Sequence, residues 1–285
     1  MSKIGVIGNG FVGQATALFE NPETKLLIFD IDPKKCIPEG TTLKDIATCD
    51  LVFICVPTPS HEDGKCNTSI VELVVRQLKE INENCNIVIR STVPVGTTET
   101  AKCFHMPEFL TEKHWRNDFI NCELWVTGHS DMEESRVEKF RELFKELLEK
   151  AHKHDKIKHA NFVLVKSDES ELIKYFRNTY LSTKIAYCNE FYRLCNALKL
   201  DYNTISEIAC ADKRIGLSHI KVPGHDGKFG FGGTCFPKDT NSLITMYKEN
   251  NIEAPVLNGV MKRNIEIDRP EQDWKEDPRA FTKKD

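Results

Sequence analysis

The residues best suited to chemistry lie in the segment GFGGTCFPKD, Gly230–Asp239, which places a thiol, an amine and a carboxylate close together in the chain. Its glycines leave backbone amides exposed, which suits a phosphate or a sugar. Cys235 follows them, and a helix that begins near Pro237 would hold its thiol at a helix N-terminus, where the helix dipole and Lys238 favour the thiolate. A generic cysteine is usually structural, but this setting predicts a reactive one. Most other cysteines, such as Cys188, lie in apolar patterns and are expected to be inert.

A second chemical motif, Gly8–Gly13 (GNGFVG), matches the GxGxxG pattern of dinucleotide-binding proteins. It follows an apolar strand pattern and opens a helical one, which is the context that the motif requires. The first glycine permits a tight turn, the second lets backbone amides approach a pyrophosphate, and the third lets helix and strand pack closely. Asp30 ends the next strand, where a carboxylate binds the ribose and repels a 2′-phosphate, so NAD is favoured over NADP. The nearby Lys35 weakens that preference, and the alternative is a glycine turn that binds no nucleotide.

Two loops that carry hydroxyl groups follow the third and fourth predicted strands. They are Val56–Pro59 (VPTP) and Ser91–Gly96 (STVPVG). Ligands of doubly wound sheets lie at the carboxyl ends of the strands, so both loops are placed to line the same crevice. A proline-stiffened loop without a ligand explains either segment equally well.

Composition excludes several classes of protein. The chain has 285 residues, of which 40% are hydrophobic and 29% charged, an ordinary globular composition. No apolar run approaches the roughly 18 residues of a membrane span, no signal peptide is expected, and a net charge of -4 gives no basic footprint for nucleic acid. The 11 cysteines include no CxxC pair, which argues against a disulfide framework and favours a reducing, cytoplasmic location. No metal site is expected, because His152, His154 and His159 lack carboxylate or cysteine partners at ligand spacing.

Alternating strands and helices must position these motifs in the first half of the chain. Apolar, β-branched runs predict strands, and apolar residues at helical spacing predict the helices between them. The predicted strands are Lys3–Ile7, Lys25–Phe29, Leu51–Val56, Asn86–Ile89, Lys102–His105, Leu124–Thr127 and Asn161–Val165, and the helices are Val12–Phe19, Ser69–Ile81 and Met132–Lys150. Right-handed crossovers between such strands make the fold α/β, with a doubly wound parallel sheet.

The second half of the chain has a different, helical pattern. Helical periodicity runs without proline or glycine over Glu169–Leu200, and further helices are predicted at Asn203–Ala211, Asp239–Glu249 and Pro255–Ile267. A helix of about 30 residues is unusually long and suits a domain bridge or a dimer seam. We therefore expect a Rossmann domain over residues 1–166, an all-α central domain over 167–267, and a polar tail over 268–285 without stable structure.

Six motifs resemble those of the UDP-glucose/GDP-mannose dehydrogenase family and occur in that family's order. They are Ile7–Gly13, Ser91–Gly96, Pro107–Glu112 (PEFLTE), Glu171–Leu181 (ELIKYFRNTYL), Arg214–Gly216 (RIG) and the Gly230–Asp239 block, and they cover about residues 4–265. The resemblance implies an NAD-dependent oxidation of the C6 alcohol of a nucleotide sugar to a carboxylic acid in two hydride transfers. Cys235 would hold the aldehyde as a thiohemiacetal and then as a thioester.

The resemblance also implies roles for residues outside the cysteine block. Lys174 and Asn178 lie four positions apart on one face of the long helix and would together stabilise a developing oxyanion. Asp239 with Thr92 would hold a water that relays the proton, and Glu108 would be the base for thioester hydrolysis. Each role has a plainer alternative, namely a solvated helix stripe, a helix cap and a surface carboxylate.

Two sets of binding residues follow from the same resemblance. Those expected at the cofactor are Gly8, Asn9, Gly10, Phe11, Val12, Gly13, Asp30, Lys35, Val56, Thr58, Thr92, Glu112 and Lys238. Those expected at the substrate are Glu108, Phe109, Leu110, Lys174, Asn178, Arg214, Phe231 and Gly232. In this family the arginine of the RIG segment often reaches the substrate across a subunit contact.

The sequence also gives expectations about partner chains and about alternative functions. Family members carry a third domain that helps to bind the uridine nucleotide, and this chain ends soon after Asn264, so that half-site is missing or supplied by another chain. The long helix predicts a homodimer. A two-domain 3-hydroxyacid dehydrogenase also uses a helix Lys–Asn pair but does not need Cys235, and an inactive nucleotide-binding remnant would act as a partner protein. The segment His219–Lys228 favours UDP-glucose over N-acetylated relatives or GDP-mannose.

Overall fold

Within residues 1–282, which the computed structural model describes, seven strands form one sheet. They are β1 (Ser2–Ile7), β2 (Thr24–Phe29), β3 (Leu51–Ile54), β4 (Ile87–Ile89), β5 (Phe104–His105), β6 (Trp125–His129) and β7 (Phe162–Lys166). The sheet order is β2-β1-β3-β4-β5-β6-β7. Ile7, the last residue of β1, pairs with Phe29 and Ile54, the last residues of β2 and β3. The loops after these three strands therefore leave the sheet at one edge, beside the point where the strand order reverses.

Helices cover both faces of the sheet because its strands are apolar on both sides. Along β1, Ile4 and Val6 face one core, and Ile7 faces the other. Helices α1 (Phe11–Thr16), α5 (Trp115–Ile120) and α6 (Glu134–Lys153) contribute to the first core. Helices α2 (Leu43–Ile46), α3 (Ser69–Ile81) and α4 (Thr97–Ala101) contribute to the second. This three-layer arrangement is the expected doubly wound α/β fold.

The chain divides into two compact units. The sheet unit comprises Met1–Thr58 and Thr68–Lys174, and the helical unit comprises Pro59–Asn67 and the chain from Tyr175 onwards. Helix α7 (Ser167–Leu198) begins in the sheet unit and continues into the helical unit, which also holds α8 (Tyr202–Cys210), α9 (Phe236–Glu249) and α10 (Pro255–Arg263). No helix in residues 1–282 has both the length and the apolar character that a membrane span requires.

The structure differs from the sequence-based expectation within the sheet and at the border between the units. Strands β5 and β6 pair antiparallel, whereas an all-parallel sheet was expected. An apolar run has the same pattern in either direction, so periodicity could not reveal this. The sheet unit ends at Lys174 instead of residue 166, because the first turns of α7 pack there, with Ser170 fully buried.

The segment after residue 267 also differs from the expected unstructured tail. A π-helical turn (Asn264–Asp268) and a 3-10 turn (Asp273–Glu276) follow α10, and Trp274 is buried. Ser60 N donates a hydrogen bond to Ala280 O at 2.8 Å, within the same unit. Two ion pairs form within the described part of this segment, Arg269 with Asp273 and Arg279 with Asp277, and the last three residues of the expected tail lie outside the described residues.

Candidate active site

The turn after β1 carries the GxGxxG residues and is braced by Asp30. Asp30 Oδ2 accepts a hydrogen bond from Asn9 N at 2.7 Å, and its other oxygen accepts a second backbone N–H. Gly8 has a φ of 93°, and a Cβ at Gly13 would lie 1.9 Å from Gly8 O, so both positions require glycine. At Gly10 a Cβ would meet no atom within 4 Å. The turn is therefore closely packed on the side of the sheet and open at Gly10.

This turn fits a dinucleotide. Asn9 Oδ1 is buried and has no hydrogen-bond partner within residues 1–282, so it offers an acceptor to a bound hydroxyl or amide. Asn9 Nδ2 donates to Lys35 O at 2.8 Å, while the Lys35 side chain itself is 57% exposed. The carboxylate of Asp30 stands at the end of β2, where a ribose is bound in such folds. Asn9, Gly10 and Asp30 are thus the residues that would hold the adenosine half of the cofactor.

The loops after β3 and β4 are tied to each other. Thr58 Oγ1 donates to Thr92 O at 2.7 Å, and Ser91 Oγ donates to Val56 O at 2.7 Å. The two segments that were expected to line one crevice are therefore joined at the carboxyl edge of the sheet, as their positions after neighbouring strands predict. The hydroxyl of Thr58 is buried and donates to the protein.

Glu171 anchors the second of these loops, and sequence reasoning missed this role. Its carboxylate is fully buried and accepts hydrogen bonds from Gly96 N at 2.7 Å and Thr98 N at 2.8 Å. Burial raises the pKa of Glu171 to about 7, and the hydrogen bonds from Thr98 and Gly96 only partly oppose this effect. The partners lie more than seventy residues apart in sequence, so no local pattern could have joined them.

Glu108 and Lys174 form a buried ion pair in the sheet unit. Lys174 Nζ lies 2.5 Å from Glu108 Oε1 and also 2.5 Å from the carbonyl oxygen of Glu108. Glu108 Oε2 accepts a further hydrogen bond from Leu110 N at 2.8 Å, and both side chains are at most 5% exposed. The Lys174 ammonium also lies 5.8 Å from the centre of the Phe109 ring. Four residues expected at the substrate are thus brought together, with a fixed carboxylate and a fixed ammonium.

In the helical unit, Asp239 is the centre of a second buried group. Asp239 is fully buried, and it accepts hydrogen bonds from Asn178 Nδ2 at 2.6 Å and from Lys238 Nζ at 2.5 Å. Burial is the largest single influence and lowers the pKa of Lys238, but Asp239 together with Cys66, Tyr175 and Cys235 outweighs burial, so the pKa is raised overall. Lys238 therefore stays a cation. Lys174 and Asn178, expected to point at one oxygen, are hydrogen-bonded to different carboxylates in this structure.

Cys235 occupies the N-cap of α9, as the sequence predicted. The helix begins at Phe236, and Cys235 O accepts a hydrogen bond from Asp239 N at 2.8 Å. Thr234 Oγ1 lies 3.7 Å from Cys235 Sγ. Among the cysteines, Cys235 and Cys122 are partly exposed and the others are buried. A partly exposed thiol at the start of a helix, followed by Lys238, is suited to nucleophilic chemistry.

Several expected ligand residues occupy different settings. Arg214 is 89% exposed at its side chain and pairs with Asp212 at 2.5 Å. Glu112 is exposed. The Phe231 side chain is buried in an apolar cluster of the helical unit, so it packs in the core instead of facing a ligand. Within residues 1–282, no group of three or more His, Cys, Asp or Glu side chains is arranged to hold a metal ion.

Comparison with known proteins places these features in a family. The UDP-glucose/GDP-mannose dehydrogenase family matches twice, through its NAD binding domain over residues 39–148 and its central domain over residues 168–266. UDP-glucose 6-dehydrogenase of Streptococcus pneumoniae is 31% identical over 92% of this chain and 74% of its own length. UDP-glucose 6-dehydrogenase of Rickettsia typhi is 31% identical over 90% of this chain, which spans 62% of that relative. The chain thus spans between about half and three quarters of such relatives.

A solved structure supports the same assignment. The UDP-glucose dehydrogenase of the archaeon Pyrobaculum islandicum has a TM-score of 0.77 and 26% identity, covering 92% of this chain and 67% of that one. The matched NAD binding domain identifies NAD as the cofactor, in agreement with the fit of the glycine turn and Asp30.

Proposed function

The chain belongs to the UDP-glucose/GDP-mannose dehydrogenase family, and we propose that it oxidises the C6 alcohol of a nucleotide sugar, UDP-glucose, to a carboxylic acid with two equivalents of NAD. The observation that carries the proposal is Cys235, a partly exposed thiol at the N-cap of α9. An oxidation that continues from aldehyde to acid needs a nucleophile to retain the aldehyde. A dehydrogenase that stops after one hydride transfer does not.

The proposed role of Cys235 is covalent. In the first oxidation C6 loses a hydride and its hydroxyl loses a proton, which gives an aldehyde. The thiolate adds to the aldehyde carbon, and its oxygen takes up a proton, which gives a thiohemiacetal. Loss of a second hydride and of the hydroxyl proton gives a thioester. Water then displaces the thiolate and releases the carboxylic acid. NAD, when bound, accepts one hydride in each oxidation.

The buried charges supply the remaining roles. Lys174 would stabilise negative charge on the C6 oxygen, and its hold on Glu108 fixes the carboxylate proposed to activate the hydrolytic water. Asp239, held by Asn178 and Lys238, would accept the alcohol proton through a water. The PEFL segment would contact the sugar. The cytoplasm suits this chemistry, because thiols stay reduced there.

The test is NADH production by the purified chain with UDP-glucose, UDP-N-acetylglucosamine, UDP-N-acetylmannosamine and GDP-mannose, each with NAD. We expect UDP-glucose to give two NADH for each sugar acid. Turnover of 3-hydroxy acids in place of nucleotide sugars would identify a 3-hydroxyacid dehydrogenase. NAD binding in calorimetry without turnover of any compound would identify an inactive remnant.

The variant Cys235→Ser tests the covalent step. A serine hydroxyl is a far weaker nucleophile than a thiolate near neutral pH, so the first oxidation should proceed and the sequence should then stall. We expect a burst of at most about one NADH per active site, followed by very slow turnover. Cys122→Ser, which removes the other partly exposed thiol, is the matched control and should turn over normally. Full two-NADH turnover by Cys235→Ser would return Cys235 to a structural role.

We also propose a homodimer through the part of α7 that lies in the helical unit. Five large side chains on this part of α7 are each at least half exposed and recur at intervals of four or seven residues: Phe176, Tyr180, Tyr187, Leu194 and Leu198. A stripe of this length on one helix face is the pattern that a second helix covers. A second copy of this chain is the occupant we propose, with the two stripes packed against each other.

A further inference from the structure

Two buried asparagine side chains form hydrogen bonds with the backbone of the glycine-rich loop before Cys235. Asn189, from α7, accepts a hydrogen bond from Gly230 N at 3.1 Å. Asn264, at the end of α10, accepts one from Phe231 N at 2.8 Å and donates one to Phe231 O at 2.9 Å. Both asparagines are buried. The amides of Gly230 and Phe231 are therefore used by the protein, and the loop's conformation is fixed by contacts within the helical unit.

Arg269 fills the space beside the third residue of this loop. A Cβ at Gly232 would lie 2.4 Å from Arg269 Cζ, 2.6 Å from Nη2 and 2.7 Å from Nε. The guanidinium cannot move aside freely, because Nη1 is 2.7 Å from Asp226 and Nε is 2.7 Å from Asp273. Arg269 is only 4% exposed. Residue 232 must therefore be glycine because Arg269 occupies the place of a side chain.

The charge of Arg269 is already compensated. Asp226 and Asp273 together accept three of its hydrogen bonds, and Lys228 also pairs with Asp273 at 2.8 Å. Lys228 also lies 3.3 Å from Glu271, so two cations face three carboxylates and the group has no excess positive charge to offer a phosphate. The Arg269 guanidinium is planar and is held by two carboxylates, so it is rigid enough to support the loop.

We propose that Arg269 is a positioning residue for Cys235: clamped by Asp226 and Asp273, it packs under Gly232 and fixes the loop that presents the thiol. Arg269 lies beyond residues 168–266, the span of the family's central domain in this chain. The proposal rests on the proposed function only where it treats the thiol as a nucleophile. The mechanical role of Arg269 stands on the contacts alone.

The test is a double-mutant cycle of Gly232→Ala and Arg269→Ala. In the presence of Arg269, the new methyl group at residue 232 must displace the guanidinium or the loop, whereas in Arg269→Ala it enters free space. Gly259→Ala is the matched control, because a Cβ there meets no atom within 4 Å. Arg269→Lys, with a slimmer end group, repeats the cycle if Arg269→Ala does not fold.

The readout is the rate at which iodoacetamide alkylates each cysteine, resolved by mass spectrometry in the full chain without substrate. We expect Gly232→Ala to speed alkylation of Cys235 about tenfold through local opening of the loop, while the buried Cys188 and Cys210 stay protected. Global unfolding would expose all of them together. In the Arg269→Ala background, adding Gly232→Ala should cause no further change.

Two results would overturn the proposal: Gly232→Ala behaving like Gly259→Ala, or equal effects of Gly232→Ala with and without Arg269. If the chain oxidises a nucleotide sugar, kcat of Gly232→Ala should fall while the KM for NAD stays within about twofold, because the glycine turn and Asp30, which would hold the adenosine half of NAD, belong to the sheet unit. If no nucleotide sugar is oxidised, the proposed function fails, and the alkylation cycle still decides the role of Arg269.

Discussion

Replacing Glu171 with glutamine should change how the stability of the sheet unit depends on pH. In the unfolded chain this carboxyl ionises near its ordinary pKa of 4.5, whereas burial raises the pKa in the folded state to about 7. Between these values the folded state binds more protons, so the free energy of unfolding falls as pH rises. The stabilisation that comes from keeping the Glu171 carboxyl protonated in the folded state is complete below pH 4.5, declines between pH 4.5 and 7, and is absent above pH 7. The difference between the two pKa values corresponds to about 3 kcal/mol of unfolding free energy.

Glu171→Gln removes the titration and leaves a second effect that does not vary with pH. Glutamine has one acceptor oxygen, so either Gly96 N or Thr98 N loses its partner, at a constant cost of about 1–3 kcal/mol. The wild-type advantage in unfolding free energy should therefore shrink by about 3 kcal/mol between pH 4.5 and 7, and then stay level. Urea unfolding followed by tryptophan fluorescence measures it, since Trp125 is buried in the sheet unit.

The control is Glu99→Gln on α4, the helix whose first turn Glu171 holds. The pKa of Glu99 is lowered by hydrogen bonds from Lys102 and from Asp131 N, so its contribution is complete above pH 4.5 and is lost in more acidic solution. The difference between wild type and Glu99→Gln should consequently be flat from pH 5 to 8. A flat curve for Glu171→Gln over the same range, or one that rises with pH, would refute the reasoning.

Three further expectations follow from the described contacts. Lys174→Met should lower the free energy of unfolding by about 3–5 kcal/mol, because it leaves the buried Glu108 carboxylate uncompensated. The loss should be clearly smaller in a Glu108→Gln background. Equal losses in both backgrounds, measured by urea unfolding, would contradict this expectation. In calorimetry the chain should bind NAD more tightly than NADP, and Asp30→Ala should narrow the gap; equal affinity in the unmodified chain would count against the role of Asp30. Tyr187→Asp should weaken the proposed homodimer in sedimentation, and an unmodified chain that is monomeric at micromolar concentration would exclude that dimer.

Elements could be predicted where local periodicity fixes them. Helix α3 occupies Ser69–Ile81 as predicted, because its apolar residues recur at helical spacing and pack on the sheet. The long helix begins at Ser167, two residues before its predicted start, since Ser167 and Ser170 are buried polar residues that hydropathy does not mark. Short elements such as α4, with five residues, carry too few apolar positions to show a period.

The local settings of some candidate residues could be predicted from the sequence, whereas the pairings between those residues could not. Cys235 at a helix start and the glycine turn with Asp30 could be read from spacing, because both depend on neighbours in sequence or on the rule for strand ends. The pairs Glu108–Lys174 and Asn178–Asp239 join residues more than sixty positions apart. Tertiary packing decides which polar side chain pairs with each of these carboxylates. The local sequence does not reveal those pairings.

A glycine in a sequence can mark either a place that a ligand approaches or a place that another part of the protein fills, and Gly10 and Gly232 illustrate the two cases. Gly10 and Gly232 both read in the sequence as places where a backbone approaches a ligand, and both lie in glycine-rich turns. Around Gly10 the structure has no atom within 4 Å of a Cβ, as a ligand-facing position requires. At Gly232 the same space is filled by the guanidinium of Arg269, 37 positions further along the chain. A missing side chain leaves room, and only the tertiary structure determines whether a ligand or another part of the protein fills it.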